Sequence, residues 1–443
     1  MSTVSIKDNS RIEATTLAPV KDIVAAVSDR SIARLSQEGL LVFPQSIQDS
    51  PDLDECQMVL EKDSGGYRSG NLMGYLGYQD EQLVIDSRFA SSAGDFFLQY
   101  MMYRVLNIPN LSSLSIQSDL STRLFQFHVF MFPYCLRGAL RQGIYRTYIQ
   151  HKYNDSHIRG RIDIPRHITT NIPFTGNIAY DVRELTADNP LTQLIRHTME
   201  YIALQPYGST LLGNIRKEVR YIIECTPSYR RANRSTVLEY NLRHPVNHAY
   251  FTQYRMLQQL CIIILSNQRH AFNGQENRLH GILFDGSWLW EEYVDSLIGD
   301  SFFHPRNKLK EGKQHLFEGG TGPIYPDFIS RSKQHPIIAD AKYKPISNIH
   351  KEDYWQILAY MYRFDSKLGI FLYPDAKQTS RKELHMLQGT TFHGNVKARE
   401  DIIVAKLGLS IPDTAVDYAD FISRMSPCEK AFRTGLLNTF NTY

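Results

Sequence analysis

Ile324-Tyr325-Pro326-Asp327-Phe328-Ile329, the polar run Arg331-Ser-Lys-Gln-His335, and Pro336-Ile-Ile-Ala-Asp340-Ala-Lys342-Tyr343 form the stretch on which the reading of this chain turns. Two short apolar segments flank a polar turn, a pattern that predicts two antiparallel strands at hairpin distance. Side chains alternate along a strand, so Asp340 and Lys342 project from one face while Ala339, Ala341 and Tyr343 project from the other. With the first strand paired back on the second, Asp327 approaches the same place. Two carboxylates and an ammonium then converge.

That combination suits hydrolysis of a phosphodiester. The reaction needs a divalent cation to neutralise the phosphate and acidify a water, and Mg²⁺ prefers one or two carboxylates completed by waters and phosphate oxygens. Asp327 and Asp340 supply the carboxylates. Lys342 then orients or deprotonates the attacking water, or stabilises developing negative charge; spacing does not choose among these roles. A bare Asp-x-Lys is common and by itself reads first as a surface ion pair at a strand end. Here its setting weighs against that: an apolar strand delivers Asp340, a second acid lies one hairpin away, and an acid-bearing helix lies upstream.

Working outward, Trp288 to Leu297 predicts a helix whose Trp290, Tyr293, Val294 and Leu297 share a stripe. Asp353 to Phe364 predicts a second helix and Gly369 to Tyr373 a third strand. The order helix, strand, strand, helix, strand implies a mixed sheet flanked by helices.

Ile-Tyr-Pro-Asp327 followed by Ile-Ile-Ala-Asp340-Ala-Lys342 resembles the PD-(D/E)xK nuclease signature, and Asp353-Tyr-Trp-Gln356-Ile-Leu-Ala-Tyr360 resembles the Q-x-x-x-Y helix of one branch of those nucleases. Gln356 and Tyr360 lie on one helical face. Leu289-Trp-Glu291-Glu-Tyr-Val294 resembles the helix that carries a further metal-site acid, and its register favours Glu291 over Glu292. The resemblance implies a catalytic set of Asp327, Asp340, Lys342, Glu291, Gln356 and Tyr360, in which Asp327, Asp340 and Glu291 hold Mg²⁺, with Mn²⁺ able to substitute.

Further segments are similar to the McrC and LlaJI-type restriction subunits: the Gly74 to Arg88 hairpin, His157-Ile-Arg-Gly160-Arg-Ile-Asp163, Leu185-Thr-Ala-Asp-Asn189-Pro-Leu191, and Arg230-Arg231. The likeness covers most of residues 70 to 375 and leaves both ends outside it. It implies an endodeoxyribonuclease of a modification-dependent restriction system in phage defence, acting on double-stranded DNA with a McrB-like AAA+ GTPase or ATPase hexamer that it stimulates. The chain lacks a phosphate-binding G-x-x-x-x-G-K-[ST] motif, and Gly319-Gly-Thr-Gly322 without its lysine reads as a turn before the Asp327 strand. The motor is then a separate protein. A non-catalytic activator of an AAA+ partner, and a repair or RNA-directed nuclease with the same core, remain as alternatives.

At 443 residues the chain exceeds what one hydrophobic core organises. Its 42% hydrophobic and 21% charged residues are those of a globular protein. The longest apolar run, Cys261 to Leu265, is too short to span a bilayer, and no leader pattern is present, so a cytoplasmic location and no membrane contact are expected. Five cysteines without a C-x-x-C pair argue against zinc and disulfides. A net charge of +3 decides nothing about nucleic acid, but Arg159, Arg161, Arg166, Arg216, Lys217, Arg220, Arg230, Arg231 and Arg234 gather positive charge in the middle of the chain. The expected fold class is multidomain α+β and α/β. Residues 1–145 form a strand-bearing, partner-docking domain, with a helix over Lys21 to Gln37, a Gly74 to Asp86 hairpin and a helix capped by Asp95. Residues 146–275 form a helical, arginine-rich connector with helices from Asn189-Pro190 and over Asn247 to Leu265. Residues 276–443 form the nuclease domain.

Overall fold

The computed structural model describes residues 2–38, 40–44, 58–91, 94–106, 120–270, 279–305, 312–332, 334–375, 381–389 and 396–442. Cys56 and Lys333 lie outside them. The chain forms two compact units: Met1–Ser118 with Glu276–Tyr443, and Asp119–Gln275. This differs from the three-part expectation, because both ends of the chain build one unit.

The reason is a strand exchange. In the first unit a five-stranded sheet runs in the order Ser2–Lys7, Glu81–Asp86, Leu72–Tyr78, His280–Asp285, Leu41–Phe43. His280–Asp285, from the last third of the sequence, pairs antiparallel to Leu72–Tyr78 and parallel to Leu41–Phe43. The expected hairpin is present, with Leu72–Tyr78 and Glu81–Asp86 antiparallel across a turn at Gln79. The helix Phe96–Leu106 follows, and the Asp95 carboxyl accepts a hydrogen bond from Leu98 N at its start. Lys21 to Gln37 is not one helix: Lys21–Val27 and Ile32–Gln37 are separated where Asp29 takes a positive φ of 53°. That left-handed geometry cannot continue a helix.

A second sheet of the same unit has six strands in the order Phe302–Phe303, Phe328–Ser330, Ile337–Ala341, Leu368–Asp375, Lys397–Ser410, Arg381–Gln388. Phe328–Ser330 and Ile337–Ala341 are antiparallel, whereas Ile337–Ala341, Leu368–Asp375 and Lys397–Ser410 are parallel neighbours. A parallel pair needs a crossover, supplied by the helix Lys351–Arg363. Gly369 admits that helix closely, since a Cβ there would lie 2.6 Å from Met361 Sδ and 2.9 Å from Ile357 Cδ1. All of Ile337–Ala341 is buried, as expected of a strand covered on both faces. The C-terminal region therefore completes this sheet rather than trailing from it.

Asp285 caps the helix Gly286–Ile298 by accepting from Trp288 N, so the five-stranded sheet leads directly into the Glu291 helix. The helix is pinned at Trp290, whose Nε1 donates to Leu372 O, and at Tyr293, whose hydroxyl donates to Glu429 of the helix Tyr418–Thr442.

The second unit is not the purely helical connector expected. Thr147–Asp155, Ile178–Thr186 and Arg161–Ile162 form an antiparallel three-stranded sheet. Thr147-Tyr-Ile-Gln-His-Lys-Tyr-Asn-Asp155 alternates between half-buried and exposed residues, the period of a strand. Helices follow at Pro190–Ala203, Arg216–Cys225, Arg234–Arg243 and Thr252–His270. Asn189 caps the first, its Oδ1 accepting from Leu191 N and Thr192 N, with Pro190 in the first turn as its missing donor allows. Among the described residues no helix is long and apolar enough to cross a membrane. Cys135, Cys225, Cys261 and Cys428 are free thiols.

Candidate active site

The expected strand Ile324 to Ile329 is divided. Pro323–Ile324 pairs with Gln314–His315, while Phe328–Ser330 belongs to the six-stranded sheet. Pro326 cannot donate to a ladder, so the chain changes partner around it and Asp327 lies in the gap. The glycines form the tip of the preceding hairpin, Gly319, Gly320 and Gly322 all having positive φ.

Phe328 pairs with Ala339 and Ile329 with Ile338, which brings Asp327 beside Asp340. The Asp327 carboxylate accepts from Ala341 N at 2.9 Å. Asp340 is only 2% exposed, which excludes the surface ion pair of its bland reading. Its Oδ2 is buried without a well-formed hydrogen bond and relies on Lys342 Nζ, 2.7 Å away. Lys342 also donates to Gln356 Oε1 at 2.9 Å and lies 3.5 Å from Asp353 Oδ1. Gln356 Nε2 donates to the Tyr360 hydroxyl, which donates to Tyr325 O. Ile338, Asp340 and Lys342 thus share the face that meets the Lys351–Arg363 helix, where Ile338 packs on Tyr360. Glu291 is buried on its helix, and its charge repels that of Asp327.

Asp327 is half-buried by surface, yet protein atoms enclose its carboxyl. Burial first, and then repulsion from Glu291 and Asp340, push its pKa well above the usual carboxylate range. Burial alone would lower that of Lys342, but Asp340 and Asp327 more than offset this and raise it. The cluster is short of positive charge, and a small hard cation fits that deficit. Among the described residues no three His, Cys, Asp or Glu side chains are already disposed as a metal cage.

All six residues singled out from the sequence are found around this place. Sequence reasoning missed others. Asp353 Oδ2 accepts from Lys344 Nζ at 2.6 Å and from His350 N, anchoring the start of the Gln356 helix. His304 touches the Asp327 backbone, and no spacing in the sequence announces it. Of the basic residues, Arg166 is engaged by Tyr153 O, Tyr180 O and Asp181 and Arg234 by Leu265 O, whereas Arg159, Arg161, Arg216, Lys217, Arg220, Arg230 and Arg231 are exposed.

Fold and site together define a mixed α/β protein in which two acids and a lysine gather at the end of one strand of a six-stranded sheet. The family model of the McrBC 5-methylcytosine restriction system component matches residues 67–374, and the chain belongs to that family. In fold it is similar to a chain of the refined half-complex from the tetradecameric assembly of Thermococcus gammatolerans McrB AAA+ hexamers with bound McrC, with a TM-score of 0.52 and 14% identity over 99% of this chain and 100% of that one. A chain of the Thermococcus gammatolerans McrBC complex matches with a TM-score of 0.32 and 16% identity over 67% of this chain and 87% of that one. No curated protein matches.

Proposed function

We propose that this chain is the Mg²⁺-dependent DNA endonuclease subunit of a McrBC-type, modification-dependent restriction system. In this reading it is a PD-(D/E)xK hydrolase that cuts double-stranded DNA in complex with an AAA+ NTPase hexamer and stimulates that motor. The observation that carries the reading is the meeting of Asp327, Asp340 and Lys342 in the gap of the divided strand, with buried Glu291 repelling Asp327. Asp327, Asp340 and Glu291 would hold the cation, which when bound neutralises phosphate charge and acidifies a water. Lys342, held by Gln356 and Asp340, would donate to a phosphate oxygen or to the attacking water. Tyr360 and Gln356 hold its position.

Contact with the motor, expected from the sequence on residues 1–145, is assigned in this reading to the unit 119–275 as well. Ile164, Ile168, Ile172 and Phe174 are 52–68% exposed along one short helix and the chain after it, next to exposed Arg159 and Arg161. Single exposed apolar residues are ordinary, but four so close in sequence mark an interaction surface. The similar Thermococcus protein is described with McrB AAA+ hexamers and bound McrC, which agrees with such a partner.

The test is cleavage of 5-methylcytosine-containing DNA by the full chain with its purified motor, Mg²⁺ and nucleotide. Asp340→Asn is expected to abolish cutting while still stimulating phosphate release, and Ile172→Asp with Phe174→Asp to lose stimulation. A folded Asp340→Asn protein that cuts at the wild-type rate sinks the assignment. A wild-type chain that stimulates the motor but cuts nothing establishes the activator reading instead.

A further inference from the structure

Asp327 has no ladder of its own. It follows Pro323–Ile324 and precedes Phe328–Ser330, two strands that belong to different sheets. A carboxylate crowded by Glu291 and Asp340 has reason to move away, so something must hold its backbone.

Two side chains do so. On one flank the Tyr360 hydroxyl donates to Tyr325 O at 3.3 Å. On the other, His304 Nδ1 lies 2.7 Å from Asp327 O. A carbonyl only accepts, so Nδ1 carries the proton and donates. His304 directly follows the edge strand Phe302–Phe303, whose ladder has two pairs, Phe302 with Ser330 and Phe303 with Ile329. In that register His304 stands opposite Phe328. Its ring stacks on the Phe328 ring, with centroids 4.8 Å apart and planes 24° apart, and thereby reaches one residue further to the Asp327 carbonyl. Nε2 lies 3.9 Å from Glu292 Oε1, beyond hydrogen-bond reach. The His304 side chain is 3% exposed.

We infer that His304 is a positioning residue: its imidazole ties the Asp327 backbone to the edge strand Phe302–Phe303 and so fixes where the Asp327 carboxylate stands beside Asp340 and Glu291. The inference deepens the nuclease reading and rests on it for its functional meaning. His304 touches no reacting atom. Residues that orient metal-holding groups in this way typically cost about ten- to a hundredfold in metal affinity when removed.

Two full-length variants separate donation from packing. His304→Phe keeps a ring on Phe328 but removes the donor, and His304→Asn offers an amide N–H near the place of Nδ1. The first readout needs neither metal nor cleavage. Ala341 N–H is held by the Asp327 carboxylate, so its hydrogen exchange reports whether Asp327 stays in place. His304→Phe is expected to speed exchange of that amide at least about tenfold, and His304→Asn to restore protection. The second readout is Mn²⁺ titration of the DNA-free chain, where His304→Phe is expected to bind about ten- to a hundredfold more weakly and His304→Asn close to wild type. In cleavage with the motor, kcat should fall with KM unchanged. Unaltered Ala341 protection in His304→Phe overturns the inference whether or not the chain cuts DNA, as does a His304→Asn variant no better than His304→Phe at equal thermal stability. A wild-type chain that binds no Mn²⁺ and cuts nothing, with Ala341 protection still dependent on His304, sinks the nuclease reading and leaves the tie standing.

Discussion

Lys342 contacts groups from two elements, Asp340 on the strand it follows and Gln356 and Asp353 on the next helix. Its ammonium is the compensating charge for a cluster of acids that burial makes costly. Removing it leaves buried Asp340 and Asp327 without that charge, the situation in which breaking an ion pair destabilises by about 3–5 kcal/mol. Lys342→Met is therefore expected to lose cleavage by more than about a hundredfold and to lower the urea midpoint in metal-free buffer. Adding Asp340→Asn to Lys342→Met should recover part of the stability and none of the activity. A double variant no more stable than Lys342→Met alone would show that the pair does not carry the charge balance. Lys342→Arg is no conservative change here, since a planar fork does not fit the site of a compact ammonium.

Elements deliver these groups, and their own ends are instructive. Asp95 heads the helix Phe96–Leu106 and accepts from Ser87 N at 2.5 Å and Leu98 N at 3.1 Å. Burial, with Asp86 and Asp8 nearby, pushes its pKa up to about 7 from the model-peptide value of 3.8. A carboxyl whose folded value is raised takes up a proton on folding. Its contribution is full below about pH 4 and is lost as pH rises towards 7, amounting to at most on the order of 4 kcal/mol. The stability of wild type relative to Asp95→Asn should fall as pH rises across that window in pH-dependent melts, and a constant difference counts against the raised value. At the Gln356 helix, Gly369→Ala places a methyl against Met361 and Ile357. Overpacking of this kind costs about 1–3 kcal/mol, and because the helix must shift, Gln356 should loosen from Lys342 and cleavage should fall with stability.

At the scale of the whole molecule, the two ends of the chain are one folding unit. His280–Asp285 lies between Leu72–Tyr78 and Leu41–Phe43, and Gly286 N donates to Asn71 O. Arg88 pairs with fully buried Asp8, donates to Tyr343 O at 3.1 Å, and sits over the Tyr343 ring. Residues 276–443 made alone, or 1–275 made alone, are each expected to lack a cooperative melt, since one half loses the neighbours of that strand and the other loses the strand. A sharp transition from either fragment would contradict this. Arg88→Met should cost about 3–5 kcal/mol by leaving Asp8 unpaired, measurable by urea unfolding of the full chain.

The sequence by itself determined the elements around the site. Two apolar runs about a polar turn, a carboxylate and a lysine two apart on a strand, and a glutamine and tyrosine four apart on a helix are local patterns with local causes, and the hairpin, the Asp285-capped helix and the Gln356 helix follow from them. The break at Pro326 escaped the strand expected over Ile324 to Ile329, although a residue without an N–H cannot stay in a ladder. What only the tertiary structure decided are pairings between distant parts of the chain. The placement of His280–Asp285 among N-terminal strands, the inclusion of Lys397–Ser410 in the six-stranded sheet, and the reach of His304 to Asp327 depend on which backbone edges meet. No periodicity encodes that choice: an apolar strand states that it will be buried, and the whole set of competing edges settles beside what.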